Sequence, residues 1–113
     1  MITTEFGLPP ATLDAITRIL TQVPEVKKAV IYGSRAKGTH RPGSDIDLTL
    51  FGEELNLDTL GQIATRLEES PIPYQVDLSI FKLIENPALR DHIERVGQVF
   101  YKLIDKNIAK MGT

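Results

Sequence analysis

Residues 29–51 read Ala29-Val30-Ile31-Tyr32-Gly33-Ser34-Arg35-Ala36-Lys37-Gly38-Thr39-His40-Arg41-Pro42-Gly43-Ser44-Asp45-Ile46-Asp47-Leu48-Thr49-Leu50-Phe51. Two apolar runs flank a basic loop punctuated by glycine. The first run closes a strand predicted over Val26–Tyr32. The second, Ile46–Phe51, alternates: Ile46, Leu48 and Leu50 point one way, while Asp45, Asp47 and Thr49 point the other. Between them Gly33–Gly43 is polar, and Ser34–Lys37 fits one short helical turn.

The elements on either side follow the same logic. Pro9 and Pro10 suit a helix start, because a first-turn proline loses no hydrogen bond. Leu13, Ile16 and Leu20 then recur at helical spacing, and Pro24 marks the stop. Downstream, Asn56 or Asp58 caps a helix with an inward stripe of Leu60, Ile63, Ala64 and Leu67. Pro71 and Pro73 close it. Tyr74–Phe81 reads as a third strand, with Val76, Leu78 and Ile80 on its apolar side and Asp77 and Ser79 opposite. Asn86-Pro87 opens a helix over Ala88–Val96, with Leu89, Ile93 and Val96 inward and Gly97 at its end. Val99–Leu103 fits a short strand or a helical turn equally well. Lys110–Thr113 is expected to fray. Helices alternating with about three strands predict an α/β (α+β) fold: one small sheet, helices mainly on one face, the other face open for a site.

The bulk properties bound the reading. At 113 residues the chain is expected to form one domain, 1–113. Its apolar content of 42% and charged content of 25% suit a globular chain. No apolar run nears the roughly 18 residues of a membrane span, and Met1–Leu8 lacks the basic-then-apolar pattern of a signal peptide. A cytoplasmic protein is the expectation. With no cysteine, disulfides and thiolate metal sites are excluded. A formal charge of −2 argues against non-specific nucleic-acid binding, although the loop is locally basic.

If the second and third strands are neighbours, Asp45, Asp47 and Asp77 share one side of the sheet. Such carboxylates repel and need solvent, a shared proton or a cation to offset the repulsion. Hard oxygen ligands with room for water and phosphate suit Mg²⁺, and two such ions can hold the attacking and leaving oxygens of a phosphoryl displacement. Gly33 after a strand permits a sharp turn and a close approach to a ligand. Backbone N–H groups opening a helical turn favour phosphate. Ser34 adds a hydroxyl, and Arg35, Lys37 and Arg41 add positive charge. Each of these pieces alone also fits an ordinary solvated surface.

Together, Gly33-Ser34, Ala36, Gly38, Ser44-Asp45-x-Asp47 and the later Asp77 resemble the DNA polymerase β nucleotidyltransferase superfamily. The whole chain, including Leu89–Tyr101 with His92-Ile93 and Gly97, resembles its minimal nucleotidyltransferase (MNT) family. That resemblance implies a polymerase β-like fold with a small mixed sheet. It implies that Asp45 and Asp47 ligate two Mg²⁺ ions, and that Asp77 holds the ion next to the acceptor oxygen and helps deprotonate it. Gly33 and Ser34 would bind the triphosphate of ATP, with Arg35 or Lys37 supporting its charge.

The resemblance extends to MntA-type antitoxins paired with helical HEPN proteins. It therefore implies transfer of AMP to a hydroxyl of such a partner, or a catalytically weak module that masks the partner. An antibiotic-modifying transferase is a third reading, weakened because those proteins carry an added acceptor-binding domain for which this length leaves no room. His40 reads as a solvated loop residue and His92 as a packing or capping residue, and neither is given a role.

Overall fold

The computed structural model describes residues 5–103. A 3₁₀ turn at Glu5–Gly7 leads into α1 (Pro10–Thr21), β1 (Lys28–Tyr32), the short α2 (Ser34–Lys37), β2 (Ile46–Phe51), α3 (Leu57–Glu69) and β3 (Val76–Ile80). A second 3₁₀ turn at Phe81–Leu83 precedes α4 (Pro87–Val96) and β4 (Gln98–Lys102). Lys110–Thr113, expected to fray, lies outside the described residues. No described helix is long and apolar enough to cross a membrane.

Local chemistry sets the helix starts. Asn56 caps α3, its side-chain oxygen accepting from the Thr59 amide at 2.9 Å. Asp58 sits instead in the first turn, where its charge faces the positive end of the helix dipole. Asn86 caps α4 by accepting from the amides of Ala88 and Leu89, with Pro87 as the first helical residue.

Among the described residues the sheet has four strands in the order β3-β2-β1-β4, one more than the count of about three. β1 pairs antiparallel with β2 and β4, and β2 pairs parallel with β3. The segment left open between strand and helical turn is therefore the edge strand β4. Its register shifts between Ala29 and Val30, and Phe100 and Tyr101 both pack on the main core. That irregularity hides the alternation that marks a strand. β3 is shorter than Tyr74–Phe81 because Phe81 already turns into the 3₁₀ segment.

One face of the sheet carries the main core. Ala29 and Ile31 of β1, Ile46, Leu48 and Leu50 of β2 and Ile80 of β3 meet Ile16 and Leu20 of α1 and Ile63 and Leu67 of α3. A fully buried side chain of this size stabilises by about 2 kcal/mol. Most of the stability thus sits on the face away from the acids.

The opposite face is not free of the chain's own helices, contrary to expectation. Val30 and Tyr32 pack with Ile93 of α4, flanked by Leu89, Val96, Phe51, Phe81 and Ile84. The apolar stripe of α4 needs a surface, and Val30 with the stacked rings of Phe51 and Phe81, 4.7 Å apart, supplies it. Arg90 lies 4.2 Å over the Phe81 ring and donates to the carbonyls of Phe81 and Ile84. The acid-bearing end stays open: Asp45 and Asp77 are exposed and Asp47 is half-buried.

Candidate active site

Strand register assembles the acids. The parallel pairing of β2 and β3 sets Asp47 beside Asp77, and the antiparallel pairing of β1 and β2 sets Tyr32 beside Asp47. Tyr32, Asp47 and Asp77 thus form one row across three strands. Asp45, just ahead of β2, is close enough for its charge to act on Asp47. One step further along the strands, Thr49 lies beside Ser79.

The electrostatics follow from this crowding. Burial first, then the charges of Asp77 and Asp45, hold the Asp47 carboxyl above the ordinary carboxylate range, and His92 opposes the shift. Burial also raises the Tyr32 hydroxyl. The nearby Ser79 side chain opposes that shift, and the Asp47 and Asp77 charges add to it.

Among the described residues, no three acidic or histidine side chains are gathered tightly enough to enclose a cation unaided. The donor set nevertheless fits a hard cation that arrives with phosphate. It offers carboxylate oxygens on an open face, and their mutual repulsion is already registered at Asp47. Mg²⁺ commonly takes one or two carboxylates and completes its shell with water and substrate phosphate.

The loop after β1 is pressed against this row. Gly33 adopts φ 75° and ψ −153°, and a Cβ there would collide with Oδ2 of Asp47. The backbone can therefore pass over the carboxylate only because the residue is glycine. α2 begins directly afterwards, so the amides of its first turn are not used within the helix. Ser34 is half-exposed and Lys37 exposed at this turn. Gly38 closes it in the left-handed conformation.

Arg35 is not where its charge was expected. It is only 3% exposed. Nε and Nη2 donate to the Ser44 carbonyl at 3.1 and 2.8 Å, and Nη1 donates to the Phe6 carbonyl at 2.9 Å. The guanidinium also lies 5.0 Å over the Tyr74 ring. It ties the loop to the N-terminal turn and to the residue before Asp45, rather than facing the open side. Arg35→Lys cannot reproduce this fork. Losing charge-assisted bonds in a buried place should cost about 2 kcal/mol, read as a lower melting temperature with secondary structure kept at room temperature.

The histidines also differ from the sequence reading. His40 is half-buried rather than solvated: its ring lies against Gly7, and its Nδ1 is buried with no partner among the described residues. It borders a groove of about 360 Å³ with Phe6, Gly7, Lys37 and Gln98, which includes none of the aspartates. His92 packs edge-on against Tyr32, with centroids 6.2 Å apart, and its charge is felt at Asp47. Tyr32 and His92 were missed as neighbours of the acids, whereas Thr49 and Ser79 were placed on the acid face but given no role. For Thr49 and Ser79 the signal was present, since each follows an aspartate by two residues on its strand. For Tyr32 and His92 no spacing rule points across strands or to a packed helix.

The polymerase β, nucleotidyltransferase family model matches residues 14–106. A Methanocaldococcus jannaschii protein named as a candidate protein adenylyltransferase is 32% identical over 79 residues, spanning 68% of this chain and 79% of that protein. Among solved structures, a toxin–antitoxin complex with AMP-PNP superimposes with a TM-score of 0.67 at 20% identity, covering 80% of this chain and 73% of that one. A tri-AMPylated Shewanella oneidensis HEPN toxin in complex with MNT antitoxin gives 0.62 at 16% identity, covering 89% and 76%. At such identities the structural likeness is one of fold.

Proposed function

Because the chain belongs to the polymerase β nucleotidyltransferase family, we propose that it transfers AMP from ATP to an acceptor hydroxyl on a helical HEPN-type partner, as the antitoxin of a pair. The observation that carries the reading is the shared register of Asp47 and Asp77 on adjacent parallel strands, directly beneath Gly33. The similarity to an adenylyltransferase relative, and to folds solved in toxin–antitoxin complexes, supports the choice of reaction and partner.

In this reading Asp45 and Asp47 would hold two Mg²⁺ ions, and Asp77 would hold the one next to the acceptor. Bound Mg²⁺ would neutralise the phosphate oxygens and the developing charge. The chain's own part is to position and orient. Gly33 lets the backbone reach the triphosphate, and the first amides of α2 and the Ser34 hydroxyl donate to its oxygens. Lys37 adds charge at the rim. Asp77, the most open acid of the row, takes the acceptor's proton as its oxygen attacks the α-phosphorus and pyrophosphate leaves. α4 walls one flank of the row. The remaining side is open to solvent, and a docked partner would exclude water there. Such a pair would work in the cytoplasm, where ATP is supplied.

Ser34→Ala should weaken binding of ATP by roughly tenfold, as for one lost charge-assisted hydrogen bond, and leave AMP binding nearly unchanged. Calorimetry reads both, and equal loss for the two nucleotides would move the serine off the pyrophosphate. The reaction itself is tested by incubating the co-purified pair with ATP labelled on either the α- or the γ-phosphate. Label on the partner from α alone supports adenylyl transfer. Label from γ would mean phosphoryl transfer instead. A partner that binds yet takes neither label would leave a masking module.

A further inference from the structure

Beneath the row of acids the sheet carries a second row of Val30, Thr49 and Ser79, in which Thr49 is closed to solvent and Ser79 is half-buried. Thr49 is fully buried, and among the described residues its Oγ1 has no hydrogen-bond partner. Ser79 stands beside it across the parallel pairing, and its Oγ is likewise buried and unpartnered. Tyr32, 8% exposed, brings a third hydroxyl close enough for Ser79 to influence it, although the two do not meet in hydrogen-bond geometry. Thr49 and Ser79 follow Asp47 and Asp77 by two residues, so their hydroxyls lie under the two carboxylates on the same face. Below them the face turns apolar with Phe51 and Phe81.

Two unpartnered hydroxyls side by side in a buried place are uncommon, because each loses its water without compensation. A valine and an alanine would fill the same positions without that loss. Polar groups converging at such a spot are the usual partners of a buried water, which asks for two to four of them. We propose that Thr49, Ser79 and Tyr32 form a hydroxyl floor that holds a buried water under Asp47 and Asp77 and fixes the orientation of both carboxylates. The three are positioning residues: they act on the reaction through the aspartates. The proposal rests on the transfer reading for its consequence in rate, but not for its consequence in structure.

Thr49→Val tests it, because the side chains match in shape and differ in the hydroxyl. With the water floor, the variant should lose at least tenfold in kcat and bind Mn²⁺ several-fold more weakly by electron paramagnetic resonance. Its melting temperature should fall or stay level, and Thr49→Ser should restore most of both losses. If the hydroxyls are merely unsatisfied, Thr49→Val should melt higher than wild type with unchanged Mn²⁺ binding, and that result overturns the proposal. A high-resolution structure of the wild type should place a water within hydrogen-bond reach of Thr49 Oγ1 and Ser79 Oγ; a dry contact there contradicts it. A wild type that transfers no nucleotide would fell the transfer reading alone, since melting, Mn²⁺ binding and the water position still decide the floor.

Discussion

Asp47→Asn should abolish nucleotidyl transfer, by on the order of a hundred- to a thousandfold, and should melt higher than wild type at neutral pH. The two effects have one cause. Asp47 is half-buried and crowded by Asp77 and Asp45, so its carboxyl keeps its proton to higher pH in the folded protein than in the unfolded chain. Where the folded state binds the extra proton, stability falls as pH rises. The loss begins near the ordinary carboxylate value of 3.8, is complete once pH exceeds the raised value, and persists at neutrality. Asparagine keeps the shape and carries no charge, so it escapes this loss. The melting advantage of Asp47→Asn should therefore be present at pH 7 and vanish toward pH 3, near the ordinary carboxylate range. Mg²⁺ with ATP should stabilise the wild type more than the variant, because a ligand stabilises in proportion to its preference for the folded state. Full transfer by Asp47→Asn would remove the acid from the mechanism. A variant less stable than wild type at pH 7 would mean that the crowding is already relieved by other groups.

Gly33→Ala should cost both stability and transfer, each for its own reason. The backbone at φ 75° and ψ −153° lies in a region open almost only to glycine, and strain there is worth about 1–3 kcal/mol. The added Cβ would also collide with Oδ2 of Asp47. Because that oxygen belongs to the row of acids, the collision moves a reacting group, and a displacement of about 1 Å can cost on the order of a hundredfold in rate. Gly38→Ala is the natural comparison. Gly38 also has positive φ, at 77°, but a Cβ there meets nothing within 4 Å among the described residues. It should lower the melting temperature through strain and keep transfer close to wild type. Equal loss of transfer at both glycines would show that loop conformation, rather than contact with Asp47, governs the effect.

The sequence made some of this site readable and hid the rest for physical reasons. Alternation along β2 placed Asp47 on the face opposite Ile46, Leu48 and Leu50, and the same period placed Asp77 on its strand. What alternation cannot state is which strands are neighbours. The parallel pairing that brings Asp47 to Asp77 is a long-range fact, fixed by how α3 carries the chain from β2 to β3. The stripe of Leu89, Ile93 and Val96 announced that α4 buries one side, but not which face of the sheet receives it. Arg35 misled because arginine is mostly exposed and because its partners are carbonyls, which every residue has and no sequence displays. β4 stayed ambiguous because a bulge breaks the period it would otherwise show. The caps were better marked: Asn86-Pro87 was read directly, and only the choice between Asn56 and Asp58 needed the structure.

If the three aspartates move AMP onto a partner protein, the partner's intact mass records the transfer. The chain is co-expressed with the product of the neighbouring reading frame, any complex is purified, and the partner is weighed with and without ATP and Mg²⁺, for wild type and for Asp45→Asn. With wild type the partner should gain the mass of one or more AMP groups, dependent on both ATP and metal, and with Asp45→Asn it should gain none. A partner that forms the complex and keeps its unmodified mass under every condition, or gains the same mass with Asp45→Asn, would contradict transfer by these aspartates.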